Sequence, residues 1–556
     1  MANIPLGPFR ESLARLTPIA RHRALTKLAK VSPPREDFAS LRAAPDGALY
    51  YICVVPLPGP SAAHRTDATS PAAPRTGAAT AGGVPIANPP VRHSRPGSKN
   101  VLYLDFNGYT IAGSRWNSTF GVSSYAAVAY DTDGDPATFS ADEQAAIVQV
   151  WERVAEDYAP FDIDVTTEEP ATLTPTTGRA LITAATDANG VAMPNAEAAA
   201  GVSFVDVFGD YDYATSGSPA LVYYTSFGTD TAALAEAVAH ELGHNLGLSH
   251  DGQTGSEYYV GHGTGDTSWG PIMGAPYGRN VTQWSRGEYY HANNHEDDVA
   301  IIAAHTAYRP ASAGATLTTA AAAAVSDTGI STAGVLTSSS DVNVYSFRTS
   351  ASTISLAVAT YRAASGTNGG DADVKLELLN SDGSVVASSD PASSTDASLS
   401  YKAKAGTYYA RITPAGTGSP LNARPTGYTN YGSIGQYTLT GTIGASAPAI
   451  TSATSATTGG AQLYSYQIVA TGSPASYGAT GLPAGLSLDA AAGIISGRPL
   501  KTGVFNIGLS ATNSLGTGKA TLALTVTNAP PAIVSQDSGL RVAAPGDSIA
   551  LNVATL

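Results

Sequence analysis

Apolar and polar positions alternate in different rhythms along the chain, and the rhythm changes near residues 98 and 310. The opening stretch, PFRESLARLTPIARHRALTKLAK, reads as a helix-prone basic segment ending at Pro33-Pro34, followed by the β-branched and aromatic strand ALYYICVV at 48–55. Residues 56–96 are rich in Pro, Ala, Gly and Thr without periodicity, which predicts a flexible linker. VLYLDF (101–106) then predicts a buried strand. Ser140-Ala-Asp-Glu143 is a capping box that opens a helix to about Tyr158, with Ile147, Val150, Trp151 and Val154 on one face. FDIDVTT (161–167), RALITAA (179–185), GVSFVDVF (201–208) and PALVYYTSF (219–227) predict four more strands. A second helix, AALAEAVAHELGHNLG, is expected to start at Asp230 or Thr231. A third is expected from Asn293, with Glu296, Asp297 and Asp298 in its first turn and an end before Arg309-Pro310. Beyond 310, short alternating strands and Gly/Asn/Ser turns predict β-sandwiches. Pro448-Ala449-Ile450 recurs as Pro531-Ala532-Ile533, so 529–556 reads as the truncated start of a further repeat.

Composition narrows the classes. A chain of 556 residues implies three or four domains, and its one cysteine excludes a disulfide framework. No apolar run is long enough to span a bilayer. The net charge of −14 argues against nucleic acid or an anionic membrane as partner. That charge is unevenly spread: residues 1–100 carry 13 basic and 5 acidic side chains, residues 101–309 carry 6 and 28, and residues 310–556 carry 11 of each. Complementary fields of this kind favour docking of the leading segment onto the acidic region, weakened by salt. The leading segment lacks the apolar core of an intact secretory signal.

The chemistry is concentrated in HELGHNLGLSHD, residues 240–251. His240 and His244 lie one turn apart on one helix face and can reach one ion, while Glu241 is placed to touch water at that ion. Gly247 suits the left-handed turn that ends a helix, which lets His250 approach as a third ligand. Three imidazoles leave one tetrahedral position open, the mark of a catalytic rather than structural zinc.

This motif resembles the metzincin metallopeptidases, whose pattern is HExxHxxGxxH followed by a methionine turn, and is most similar to the adamalysin (reprolysin) branch. Met273 in Trp269-Gly-Pro-Ile-Met-Gly274 matches the methionine turn. The resemblance covers residues 98–309 and implies an α+β fold with a mixed five-stranded twisted sheet, the fourth strand at its edge, and an active-site helix. It implies a zinc endopeptidase with Glu241 as general base, and His240, His244 and His250 as ligands. Substrate would pair as an extended strand with GVSFVDVF. Ala275 stands where some relatives place a zinc-facing Tyr, and Tyr277 lies two residues further on, so a tyrosine ligand is not expected. Asp251 is expected to hydrogen-bond the turn supporting the histidines. In many metzincins a cysteine of the leading segment fills the open zinc position. Here the apolar flanks of Cys53 favour a buried structural thiol, with such a latency switch as the alternative.

Asp131, Asp133 and Asp135 alternate like a calcium loop, against a plain turn as the other reading, and Asp371-Ala-Asp373 is ambiguous in the same way. His262 reads as a loop histidine that could touch substrate, and Asn293, as cap, separates His291 from His295. Residues 318–444 resemble the bacterial pre-peptidase C-terminal domain, through DVNVYSF, DVKLELLNSDGS, AGTYYARI and GQYTLTG. Residues 447–528 resemble the Ig-like domains of bacterial surface proteins, through GLPAGLSL and GIISGRP. The expected division is thus 1–97, 98–309, 318–444, 447–528 and 529–556. The expected protein is a secreted or surface zinc endopeptidase made as a zymogen, using Zn2+, with Ca2+ as a second candidate ion. It acts on protein or peptide, with possible surface or polymer binding through the sandwiches. The competing class is a non-enzymatic adhesin built on a decayed peptidase fold.

Overall fold

The structure is a computed structural model that describes residues 4–54, 84–86, 88–326, 329–362, 369–444, 447–513 and 516–528. Most of the expected linker, residues 55–83, and the expected partial repeat at 529–556 lie outside the described residues.

The leading segment folds as a layer with its own core. Helices α1 (Pro8–Arg15) and α2 (Pro18–Val31) each carry Pro in the first turn, where a missing N–H costs nothing. Their apolar faces, Phe9, Leu13 and Ala24 among them, pack on the short strands β1 (Arg42–Ala43) and β2 (Leu49–Cys53).

The next region supplies β3 (Val101–Asp105), α3 (Ala141–Asp157), β4 (Asp164–Thr166), β5 (Thr177–Thr183), β6 (Gly201–Phe204), β7 (Ala220–Tyr223), α4 (Thr231–Asn245) and α5 (Asp298–Thr306). Helix α3 opens on the Ser140/Glu143 capping box, and α4 on Asp230, whose carboxylate accepts from Ala233 N at 3.0 Å. The sheet runs β1-β2-β6-β7-β5-β3-β4. β7, β5, β3 and β4 are parallel, and β6 runs against them. β6 is the edge of this five-stranded part, and β2 covers that edge in antiparallel register from Gly201↔Cys53 to Phe204↔Tyr50. Buried apolar side chains of the sheet, α3 and α4 form one core that also takes in Tyr431 and Ile434 from beyond residue 310.

The third helix differs from expectation. It starts at Asp298, with Asp297 as cap accepting from Ala300 N. The four residues before it are used otherwise. Asn293 Oδ1 accepts from Gly252 N, Asn294 Oδ1 from Glu296 N, and Glu296 Oε1 from Ser249 N. Two bonds to distant main-chain groups and one local turn bond engage the side chains that would have capped the helix there.

Residues from about 321 to 442 form facing sheets of five and four strands around a shared core. From 455 to 527, sheets of four and three strands enclose a smaller one.

Candidate metal centre

Helix α4 is buried along nearly its whole length, and its C-terminal half aims three histidines at one point. Gly247 takes φ +103°, which reverses the chain after the helix and brings His250 back over His244. Each ring has its Nδ1 occupied: His240 on Ile272 O (2.9 Å), His244 on Leu248 O (2.8 Å) and His250 on Glu257 Oε1 (3.0 Å). This turns the three Nε2 atoms inward. His244 and His250 Nε2 are 3.1 Å apart, and His240 Nε2 is buried with no hydrogen-bond partner.

Cys53 completes the group. Its Sγ is 3.4 Å from His244 Nε2 and 3.6 Å from His250 Nε2, and the four donors lie within 4.8 Å of one another. Tetrahedral zinc with bonds of about 2.0–2.3 Å places its ligands roughly 3.3–3.6 Å apart, so the donor set fits that ion. Cys53 is buried, as its apolar flanks lead one to expect, and β2 also carries it into the histidine cluster because its register on β6 puts residue 53 opposite Gly201, against α4. Burial, and next Glu241, push the thiol well above its usual value, and burial pushes His240 down to about 3. A cation among the donors reverses the first of these.

Glu241 is buried, and its Oε2 accepts from Ser203 Oγ at 2.8 Å. Burial raises its carboxyl to about 7, against hydrogen bonds from Cys53 and Ser203 that lower it. Gly201 faces it across the sheet edge, where any Cβ would collide with the Glu241 carboxylate. Sequence reasoning missed Gly201 and Ser203, since neither belongs to the motif and only the fold places them there. Met273 sits beneath α4, and a Cβ on Gly243 would lie 2.6 Å from its Sδ. Tyr277 packs 6.3 Å from Phe227 in the core. Tyr258, also missed, places its ring 4.4 Å from His250, with its hydroxyl buried and unpartnered.

Asp251 supports the site differently from expectation. Its main chain does the bonding, N to Met273 O and O from Tyr259 N, both 2.8 Å, while its carboxylate has no hydrogen-bond partner. The Asp131 loop takes the plain-turn form of its two readings. Asp131 Oδ1 accepts from the N–H groups of Asp133 and Gly134, Asp133 Oδ1 accepts from Asp135 N, and Asp135 Oδ1 from Ala137 N. Asp131 and Asp133 do approach Glu143, but Asp135 is not part of that group, and Glu143 is already engaged by Ser140 and Thr132. These are turn bonds, and calcium is not supported there. His262 is structural: Nδ1 meets Tyr259 OH (2.7 Å) and Nε2 meets Gly427 O (2.6 Å). Neither His291 nor His295 lies on a helix, because α5 begins after them and His291 takes φ +58°.

The leading layer covers the cluster. Tyr51 stacks on His244 at 4.3 Å, and its hydroxyl donates to Asp37 Oδ2, which also accepts from His250 N. The charge contrast seen in the sequence is realised locally. Lys27 and Lys30 lie 2.8 and 2.6 Å from Asp206 Oδ2, yet the Arg115–Asp46 pair runs with the opposite polarity.

Comparison with known proteins bears out the resemblances. Residues 100–285 match the model of Metallo-peptidase family M12, residues 341–414 that of the bacterial pre-peptidase C-terminal domain, and residues 445–527 that of an Ig domain. No curated protein matched. Among solved structures, the pre-peptidase C-terminal domain of Bacillus anthracis collagenase is 19% identical, covering 22% of this chain and 93% of that one, with a TM-score of 0.15. The Ig1-2 module of the Drosophila receptor protein tyrosine phosphatase DLAR is 11% identical, covering 34% and 98%, with a TM-score of 0.13. A Bacteroides fragilis protein described as an alpha-galactosidase is 29% identical over 15% of this chain and 18% of its own, with a TM-score of 0.14. At such scores none of these likenesses bears on function. Three successive stretches of the chain are thus similar to metallopeptidase family M12, to the bacterial pre-peptidase C-terminal domain and to an Ig domain.

Proposed function

We propose that the protein is a secreted zinc endopeptidase held latent by its own first 54 residues. The observation that carries this reading is the convergence of three histidine Nε2 atoms with Glu241 beside them and Cys53 Sγ in the fourth position. Zinc bound by His240, His244 and His250 supplies Lewis acidity for a peptide carbonyl and for water once the thiol is gone. Glu241, buried and oriented by Ser203, takes the proton of the attacking water and later hands one to the leaving amine. Strand β2 lies where substrate would lie, and its antiparallel pairing with β6 supports an extended substrate strand on that edge. The pre-peptidase C-terminal and Ig domains are of kinds typical of secreted bacterial proteins, and no described helix is long and apolar enough to cross a membrane.

The reading is tested by removing the leading segment and assaying cleavage of a denatured protein. Cleavage blocked by a chelator and restored by Zn2+ is expected. Cleavage indifferent to the chelator, or no cleavage at all, contradicts it and favours the adhesin class.

A further inference from the structure

Strand β2 does more than cover the sheet edge, because its side chains divide between two cores. Leu49, Tyr51 and Cys53 belong to the core of the leading layer, whereas Tyr50 and Ile52 belong to that of the peptidase domain. The division follows from the pleat, which sends successive side chains to opposite faces. Tyr50 stands opposite Phe204 in the register and is only 7% exposed. Its ring meets two aromatic walls edge-on, Trp116 at 5.5 Å and 79° and Phe204 at 5.7 Å and 64°. Both walls are supplied by the peptidase domain.

These walls are held by bonds that do not involve Tyr50. Trp116, on the short helix Arg115–Phe120, donates from Nε1 to Pro219 O at 2.8 Å. Its ring lies 4.2 Å from that of Phe204, and Phe120 flanks it at 6.4 Å. The Arg115 guanidinium sits 5.9 Å from the Phe204 centroid and is paired with Asp212 at 2.9 Å. Lifting β2 therefore leaves a notch whose aromatic faces open to water beside the metal centre. Apolar surface of that kind marks a binding site. A strand that joins a sheet edge gains affinity from its main chain and selectivity from pockets for alternate side chains. Edge-to-face geometry favours another aromatic ring there over an aliphatic chain.

We propose that this notch is a substrate subsite selecting an aromatic side chain, and that Tyr50 fills it in the latent chain as a substrate residue would. The inference rests on the endopeptidase reading given above. Tyr50 lies three residues before Cys53, whose Sγ stands with the three histidines. A substrate strand in the same register brings its scissile carbonyl to that point. The ring then enters the notch from the third or fourth residue before the cleaved bond.

The test has two arms on the processed enzyme. In the first, fragments of a denatured protein are sequenced, and a peptide spanning the fastest site is made with Tyr, Phe, Leu, Ala or Asp at the third and at the fourth position before the cut. Tyr or Phe is expected to exceed Ala at least about tenfold in kcat/KM at one of the two positions, and Phe204→Leu to narrow that ratio to about threefold or less. Zinc-dependent cleavage with a wild-type ratio under about threefold at both positions overturns the subsite and leaves the endopeptidase reading intact. If Phe204→Leu fails to fold, the wild-type ratios decide. The second arm needs no turnover and decides where there is none. A peptide of residues 46–54 with Cys53→Ser is titrated onto zinc-loaded enzyme carrying Glu241→Gln. Tyr50→Ala in that peptide is expected to weaken binding at least about tenfold. An inactive protein that still tells the two peptides apart keeps the aromatic site and contradicts the endopeptidase reading alone. Equal binding of the two, or none by either, overturns the site.

Discussion

Replacing Cys53 by Ala separates a latency ligand from a packed thiol. Four-ligand structural zinc sites yield about 10–16 kcal/mol, or roughly 3 kcal/mol for each ligand. If the sulfur at 3.4 and 3.6 Å from His244 and His250 is the fourth ligand, its loss destabilises the closed form by about that much. At 1.4 kcal/mol per tenfold, chains with β2 lifted from β6 become about 100-fold more abundant. A thiol that merely fills space loses about 1 kcal/mol on truncation, which is only about fivefold. Because the pairing of β2 with β6 does not involve the sulfur, Cys53→Ala stays folded in both cases. The assay is the initial rate of hydrolysis of a quenched fluorescent peptide by intact chain, with a gel confirming that nothing has been cleaved from it. A rise near 100-fold is expected. A rise of fivefold or less, with zinc still bound, refutes the ligand role.

Three further outcomes follow from the same geometry. Lys27→Ala/Lys30→Ala in separately made residues 1–97 should weaken inhibition of the processed enzyme at least tenfold at low salt, since Asp206 is buried and loses both amines. Burial alone would raise Asp206, but bonds from His305, Lys27 and Lys30 outweigh it and hold the carboxyl well below its usual value. The gap between wild-type and variant inhibitor is therefore complete above the ordinary carboxylate pKa of about 3.9 and closes as pH falls below it, as inhibition titrations would show. Gly201→Ala, placed in the Cys53→Ala background, should reduce kcat/KM at least tenfold with zinc content unchanged, because the new Cβ displaces Glu241. Tyr431→Phe removes a hydroxyl that donates to Asp297 Oδ1 (2.6 Å) and accepts from Val299 N (3.1 Å). Leaving that buried N–H unpaired should cost about 1–3 kcal/mol, read as a lower melting temperature of the peptidase unit.

Features that depend on neighbours in sequence were legible from the chain alone. The spacing of His240, Glu241, His244, Gly247 and His250 reports helix and turn geometry directly, and the Ser140/Glu143 box marks the start of α3. The start of α5 was misplaced because Asn293, Asn294 and Glu296 carry capping chemistry that distant main-chain groups at Ser249 and Gly252 also compete for. Cys53 lies 191 residues from His244, and its role depends on strand register rather than on any local pattern. The same holds for Gly201 and Ser203 beside Glu241. Asp251 shows the converse limit. Its position after His250 was informative, but its main chain rather than its carboxylate makes the bonds.

The central claim, that a zinc held by three histidines works with Glu241 as base, is tested most directly by Glu241→Gln in the Cys53→Ala background. Zinc content and peptide hydrolysis are measured on the same sample. One zinc per chain with hydrolysis reduced at least about 100-fold is the predicted result. Undiminished hydrolysis, or a chain without zinc in the parent protein, contradicts it.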